Sequence, residues 1–155
     1  MGYGVVATGV GINVRLVECG VVRTRPIEAL AVRLGVLFDG VTDLIERHRP
    51  DAIAVEGLFH GRNARSALIL GHARGVVLLA ATRAGLPVAE ISPAEVKRAV
   101  TGTGAATKTQ VAAMVKRLLN LAAAPKPADA ADGVAIALTH LLRLQPGARM
   151  MAGRR

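Results

Sequence analysis

The chain has 155 residues, 52% of them apolar, enough for a substantial core. Twenty lysines and arginines against eleven acids leave a net charge of +9. That balance favours a polyanionic partner, nucleic acid being the commonest. The single cysteine, Cys19, excludes an internal disulfide and fits a reducing compartment.

Residues 2–7 and 14–22 read as two strands around a turn at 9–13, an antiparallel hairpin at the start of the chain. From 27 to 49, Leu30, Leu34, Leu37, Phe38, Val41, Leu44 and Ile45 recur at helical spacing, and Pro50 closes that helix. The run Asp51-Ala52-Ile53-Ala54-Val55-Glu56 reads as a short strand covered on both faces of a sheet. Glu56 therefore stands at a carboxyl strand end, where open α/β sheets place their sites; an ordinary solvated acid would stand there too.

Residues 57–63 form a loop carrying Phe59, His60 and Arg62, and Phe59 is unusual there because the chain has only one Tyr and two Phe. A helix follows over 64–83. Along it Ala67, Gly71 and Gly75 make a ridge of small side chains that admits another helix, within the core or across a dimer. The longest uninterrupted apolar run, 76–81, is too short to span a bilayer. With no secretory leader either, the chain is expected to be soluble and cytoplasmic.

Residues 88–91 read as the last strand, and Ser92 and Pro93 introduce a short helix over 94–100 that presents Lys97 and Arg98. The segment 101–109 fails as a nucleotide loop, because Thr107 stands where both glycine fingerprints require Gly. It reads instead as a loop feeding a helix over 109–121, where Thr107, Lys108 and free backbone N–H groups could hold a phosphate. The final helix is expected to start with Pro127 at its first position. Asp129 and Asp132 lie three apart on one face of it, while Val134, Ala135, Leu138, Leu141 and Leu142 form its core stripe. Two like charges beside a buried stripe repel unless a cation sits between them; otherwise they simply answer the helix dipole. Residues 145–155 read as a disordered basic tail beyond a single domain over 1–144.

Strand pair, helix, strand, helix, strand and then helices is a mixed α/β order. Glu56, Asp129 and Asp132, with no histidine or cysteine cluster, suit a hard ion such as Mg2+ or Mn2+. With the basic charge they suggest phosphodiester cleavage in which two ions clamp the attacking and leaving oxygens.

Residues 51–56 with Phe59, the run Asn63-Ala64-Arg65-Ser66-Ala67-Leu68 and the run Leu70-Gly71-His72-Ala73-Arg74-Gly75 resemble the bacterial Holliday junction resolvase family RuvC. So do Val96-Lys97-Arg98-Ala99-Val100-Thr101-Gly102, Lys108-Thr109-Gln110-Val111 and Ala128-Asp129-Ala130-Ala131-Asp132. The resemblance extends from 2 to about 140. It implies an RNase H-like mixed sheet flanked by helices, in a homodimeric endonuclease of DNA recombination and repair. Such an enzyme cuts opposing strands of a four-way junction with divalent metal, two ions per site, and works with RuvA and RuvB. By position, the resemblance makes Glu56, Asp129 and Asp132 the catalytic, metal-binding carboxylates. Phe59 becomes a wedge at the opened crossover, and Arg62, Lys97 and Lys108 contact DNA. The ridge of Ala67, Gly71 and Gly75 falls on the family's dimerisation helix.

The family also opens with a strand ending Gly-Ile-Asp-Pro-Gly, whose aspartate is its first catalytic carboxylate, and here only Met1 precedes the second-strand segment. The expectation is that this central strand is missing because the sequence starts late, and that the working protein carries roughly a dozen more residues, a strand plus a turn. The chain as written is then expected to have little activity. The alternative is a resolvase relative that binds branched DNA without cutting it.

Overall fold

The computed structural model describes residues 1–8, 14–57 and 64–144. The turn read at 9–13, the loop positions Phe59 and Arg62 and the tail at 145–155 lie outside the described residues. The elements, in chain order, are β1 (Gly2–Thr8), β2 (Val14–Val21), α1 (Leu30–His48), β3 (Ile53–Glu56), α2 (Ala64–Arg83), β4 (Val88–Ile91), α3 (Pro93–Thr101), α4 (Lys108–Leu118) and α5 (Ala128–Leu144). Among the described residues the strands form two pairs, β1 with β2 and β3 with β4. The chain divides into two units, Met1 with Val22–Glu90, and Gly2–Val21 with Ile91–Arg155.

In the first unit α1 packs on α2, and Val41, Val77 and Ala80 form the buried centre, with Phe38, Ile45, Ile53 and Val55 against it. The helix begins at Leu30 rather than 27, because Ala29 offers no side-chain cap and residues 26–28 turn instead, with the Glu28 N–H donating to the Arg25 carbonyl (3.1 Å). It ends just before Pro50, which cannot continue a helix: Arg49 takes a left-handed conformation (φ 44°) and its N–H bonds the Ile45 carbonyl at 2.8 Å. The Ile53 N–H donates to the Pro87 carbonyl (3.0 Å) where β3 meets β4. At twenty residues, α2 is long and apolar enough by composition to cross a bilayer, although its uninterrupted apolar run is short. Its inner side serves the core just described, while Leu68, Leu70 and Leu79 remain 64%, 65% and 52% exposed.

In the second unit β1 and β2 are antiparallel, pairing Gly2 with Val21 through Val5 with Glu18, then shifting so that Val6 faces Leu16. This bulge adds one residue to β2 and sharpens the twist. Alternation along β1 turns Gly2 and Gly4 toward α5. A Cβ at Gly4 would lie 2.5–2.6 Å from the Val134 backbone and side chain, and one at Gly133 would lie 2.7–2.9 Å from the Tyr3 backbone. Strand and helix thus meet backbone to backbone, a contact only glycine allows.

α5 also packs against α3 and α4. Its inner face buries Ala130, Ala131, Val134, Ala135 and Leu138, together with Thr139, whose hydroxyl is satisfied by the Ala135 carbonyl (2.7 Å). The helix starts at Ala128, one residue later than expected. Pro127 instead precedes the first turn, and its carbonyl accepts from Ala130 and Ala131 N–H (3.0 and 3.2 Å).

Candidate active site

Two local structures carry the acidic residues singled out above. In the first unit, Glu56 is the last, exposed residue of β3. Its main-chain carbonyl accepts a hydrogen bond from Arg74 Nη1, and the same guanidinium lies 2.6 Å from Glu90 Oε1. The Arg74 side chain is only 11% exposed, so α2 delivers one nearly buried cation to the ends of both β3 and β4. Arg74 lies in the run 70–75, where the sequence alone attaches no role to it. Its signal was an arginine in the middle of an apolar helix, which must find partners when that helix docks.

In the second unit, Asp129 and Asp132 are exposed at the head of α5. Their turn is fixed from two sides. The Pro127 carbonyl holds its N–H groups, and β1 lies so close that a Cβ on Gly2 would overlap the Asp129 main chain. Lys108, the first residue of α4, places Nζ 3.1 Å from Asp132 Oδ2. Both partners face solvent, so the pair adds little stability; it puts a positive group on one of two neighbouring carboxylates. The repulsion expected between the two acids is thus partly answered by a cation from the protein itself.

The N-terminus of α4 carries a local cap that the sequence expectation did not include. Thr107 caps the helix: its hydroxyl accepts from Gln110 N–H (3.3 Å), and its own N–H donates to Gln110 Oε1 (2.8 Å). This capping box uses the Thr107 N–H and one lone pair of its hydroxyl, which leaves the hydroxyl O–H free to donate beside Lys108. Lys97 is half-buried on α3, a helix started by a second capping box between Ser92 and Glu95 and ended by left-handed Gly102 (φ 79°). The Ser92 N–H and hydroxyl both bond the Glu95 carboxylate at 2.8 Å and, with Arg143 at 3.5 Å, hold its pKa below the usual glutamate value. His140, further along α5, has its pKa lowered, first by burial and then by Arg143.

The carboxylates offer oxygen ligands only, and the aspartate pair is open to solvent, which suits a hard divalent ion. Among the described residues no three His, Cys, Asp or Glu side chains gather closely enough to hold a metal by themselves.

The family model described as crossover junction endodeoxyribonuclease RuvC matches residues 1–140. The crossover junction endodeoxyribonuclease RuvC of Parafrankia sp. (strain EAN1pec) is 49% identical over 151 residues, covering 97% of this chain and 85% of that protein. That of Desulforamulus reducens is 48% identical over 139 residues, covering 90% and 85%. Among solved structures, T. thermophilus RuvC in complex with a Holliday junction substrate superposes with a TM-score of 0.88 at 42% identity, covering 95% of this chain and 89% of that one. A further Thermus thermophilus RuvC structure gives 0.77 at 37% identity, covering 97% and 86%. The RNase H-like α/β expectation is met by these superpositions.

Proposed function

The chain belongs to the crossover junction endodeoxyribonuclease RuvC family, and from that premise we propose how its own residues bind and cut a four-way DNA junction. The protein is a metal-dependent nuclease of recombination and repair. Glu56, Asp129 and Asp132 are the carboxylates that hold the metal, Mg2+ or Mn2+ at two ions per site. Bound there, the metal supplies positive charge to the phosphodiester oxygens and lowers the pKa of the attacking water.

The chain's own groups do the rest. Lys108 and Lys97 bind backbone phosphates, which position the DNA without reading its sequence. Lys108 starts on Asp132, so it keeps the carboxylate oriented until a phosphate takes over its ammonium. The turn carrying Asp129 and Asp132 is held by β1 and Pro127, so the acids need not be ordered when substrate arrives. Phe59 wedges against the bases at the crossover, and Arg62 grips the adjoining backbone.

A four-way junction offers two opposing strands, and a two-fold dimer presents one site to each. The open ridge of α2 supports that homodimer, with RuvA and RuvB delivering the junction in the cytoplasm. Residues 1–144 are taken as one resolvase domain and 145–155 as a basic tail. The similarity to RuvC endonucleases over nearly the whole chain favours cutting over the reading as a binder that does not cut.

The observation that carries the mechanism is the corner between α4 and α5, where Lys108 pairs with Asp132, one of two open aspartates. The test is cleavage of a synthetic four-way junction by the full-length gene product, with Mg2+ titrated. Paired nicks in opposing strands that vanish with chelator are expected. Cleavage that persists without divalent metal would overturn the reading.

A further inference from the structure

We propose that Arg74 is a positioning residue for Glu56: its guanidinium clamps the carboxyl ends of β3 and β4 and thereby fixes where the Glu56 carboxylate leaves the sheet. The proposal rests on the reading of Glu56 as a metal-holding carboxylate.

Four observations within the first unit carry it. Arg74 Nη1 donates to the main-chain carbonyl of Glu56 itself, not to a neighbour. The other terminal nitrogen, Nη2, pairs with Glu90 Oε1 at 2.6 Å, on the strand bonded to β3. The Arg74 side chain is 11% exposed, whereas Glu56 is exposed. And β3 spans only Ile53–Glu56, so Glu56 sits at the very end of the ladder, where main-chain direction is least constrained.

A guanidinium suits this task. Its planar fork presents two donors at fixed separation, so one side chain ties two strand ends together, which a lysine ammonium does less rigidly. The core of α1 and α2 rests on Val41, Val77 and Ala80, which do not involve the guanidinium. Arg74 thus contributes orientation beyond what holds the helices together. Orientation matters here because hard-metal coordination tolerates little drift: Mg2+–oxygen distances cluster near about 2.0–2.1 Å. Displacement of a reacting group by about 1 Å can cost on the order of 100-fold.

The experiment compares the full-length protein with Arg74→Met, Arg74→Lys, Glu90→Gln and Glu56→Gln. Three quantities are read: Mn2+ affinity by electron paramagnetic resonance, junction affinity without metal, and thermal midpoint. Arg74→Met is expected to weaken Mn2+ binding tenfold or more while metal-free junction affinity stays within twofold. Arg74→Lys should fall between the two, because one contact survives. Mn2+ affinity within twofold of the parent in Arg74→Met overturns the proposal, and so does an equal loss of junction affinity, which marks a general structural role. If Arg74→Met does not fold, Glu90→Gln decides: a loss of about threefold in Mn2+ affinity at an unchanged midpoint is expected, and no loss overturns the clamp. Glu56→Gln separates the two ideas. If it binds Mn2+ like the parent, the carboxylate assignment fails; if it loses Mn2+ while Arg74→Met does not, the positioning role fails.

Discussion

Lys108 and Asp132 show how one contact divides into two measurable roles. Replacing Asp132 by Asn removes the charge that the proposed metal binding needs but keeps the side-chain shape, and it leaves the buried face of α5 untouched. Cleavage should fall at least about 100-fold while junction binding stays close to normal; loss of both, in a gel-shift and cleavage series, would mean the fold and not the chemistry had been damaged. Lys108→Ala acts on the other partner. Binding should weaken, and the slope of log affinity against log salt should shrink by about one. An unchanged slope removes Lys108 from the phosphate contacts. His140 gives a residue-scale pH dependence. Its folded pKa is depressed, chiefly by burial, so the unfolded chain takes up the proton first as pH falls. Stability is therefore full above about pH 6.5, the ordinary histidine value, and declines as pH drops below it. His140→Gln should flatten that decline in melting temperatures taken between pH 7.5 and pH 5.5; an identical decline in both proteins would clear His140.

At the scale of elements, glycine decides the sign of a substitution by what surrounds it. Alanine is the better helix former by about 1 kcal/mol. At Gly133 that gain is outweighed, because the added methyl would stand 2.7–2.9 Å from Tyr3 backbone atoms that cannot rotate away. Overpacking of this kind costs about 1–3 kcal/mol. Gly133→Ala should therefore lower the thermal midpoint, and a raised one would show that β1 and α5 part easily. The elements themselves were legible in the sequence. Leu30 to Ile45 gave a helix by periodicity, Pro50 its end, and Val88 to Ile91 a strand, because local pattern dictates these. What the sequence could not show was which partner each special residue meets. Gly2 and Gly4 read as strand residues, yet they serve α5 more than a hundred residues later. Thr107 reads as a loop residue, yet it caps α4 through a reciprocal pair of hydrogen bonds with Gln110, three residues on. Of the candidate site, Asp129 and Asp132 were legible as a pair on one helix face because helical spacing fixes it; their exposure was not. Arg74 was not, because its partners lie eighteen and sixteen residues away on two different strands.

Over the whole molecule, the question is what covers α2. Its outward side carries a shallow apolar hollow of about 490 Å3 lined by Ala67, Leu68, Gly71, His72, Gly75, Val76 and Leu79. A Cβ added at Gly71 or Gly75 would meet nothing within 4 Å, so in the isolated chain these glycines cost helix stability without filling any close contact. Such a cost makes sense where a second helix backbone approaches, and in the homodimer proposed above that helix is the same one from a second copy. The two effects of one substitution then run in opposite directions. Gly71→Ala should raise the stability of the single chain by up to about 1 kcal/mol. Gly71→Leu should instead fill the hollow and block the partner, leaving a folded monomer. Sedimentation velocity should show the parent as a dimer and Gly71→Leu as a monomer. The melting temperature of the parent should rise with protein concentration, as linkage to self-association requires, and that of Gly71→Leu should not. Cutting should follow: the monomer nicks junction strands singly, so the two nicks lose their coordination while each site keeps its chemistry. A Gly71→Leu protein that still sediments as a dimer with paired nicks would place the interface elsewhere on the molecule.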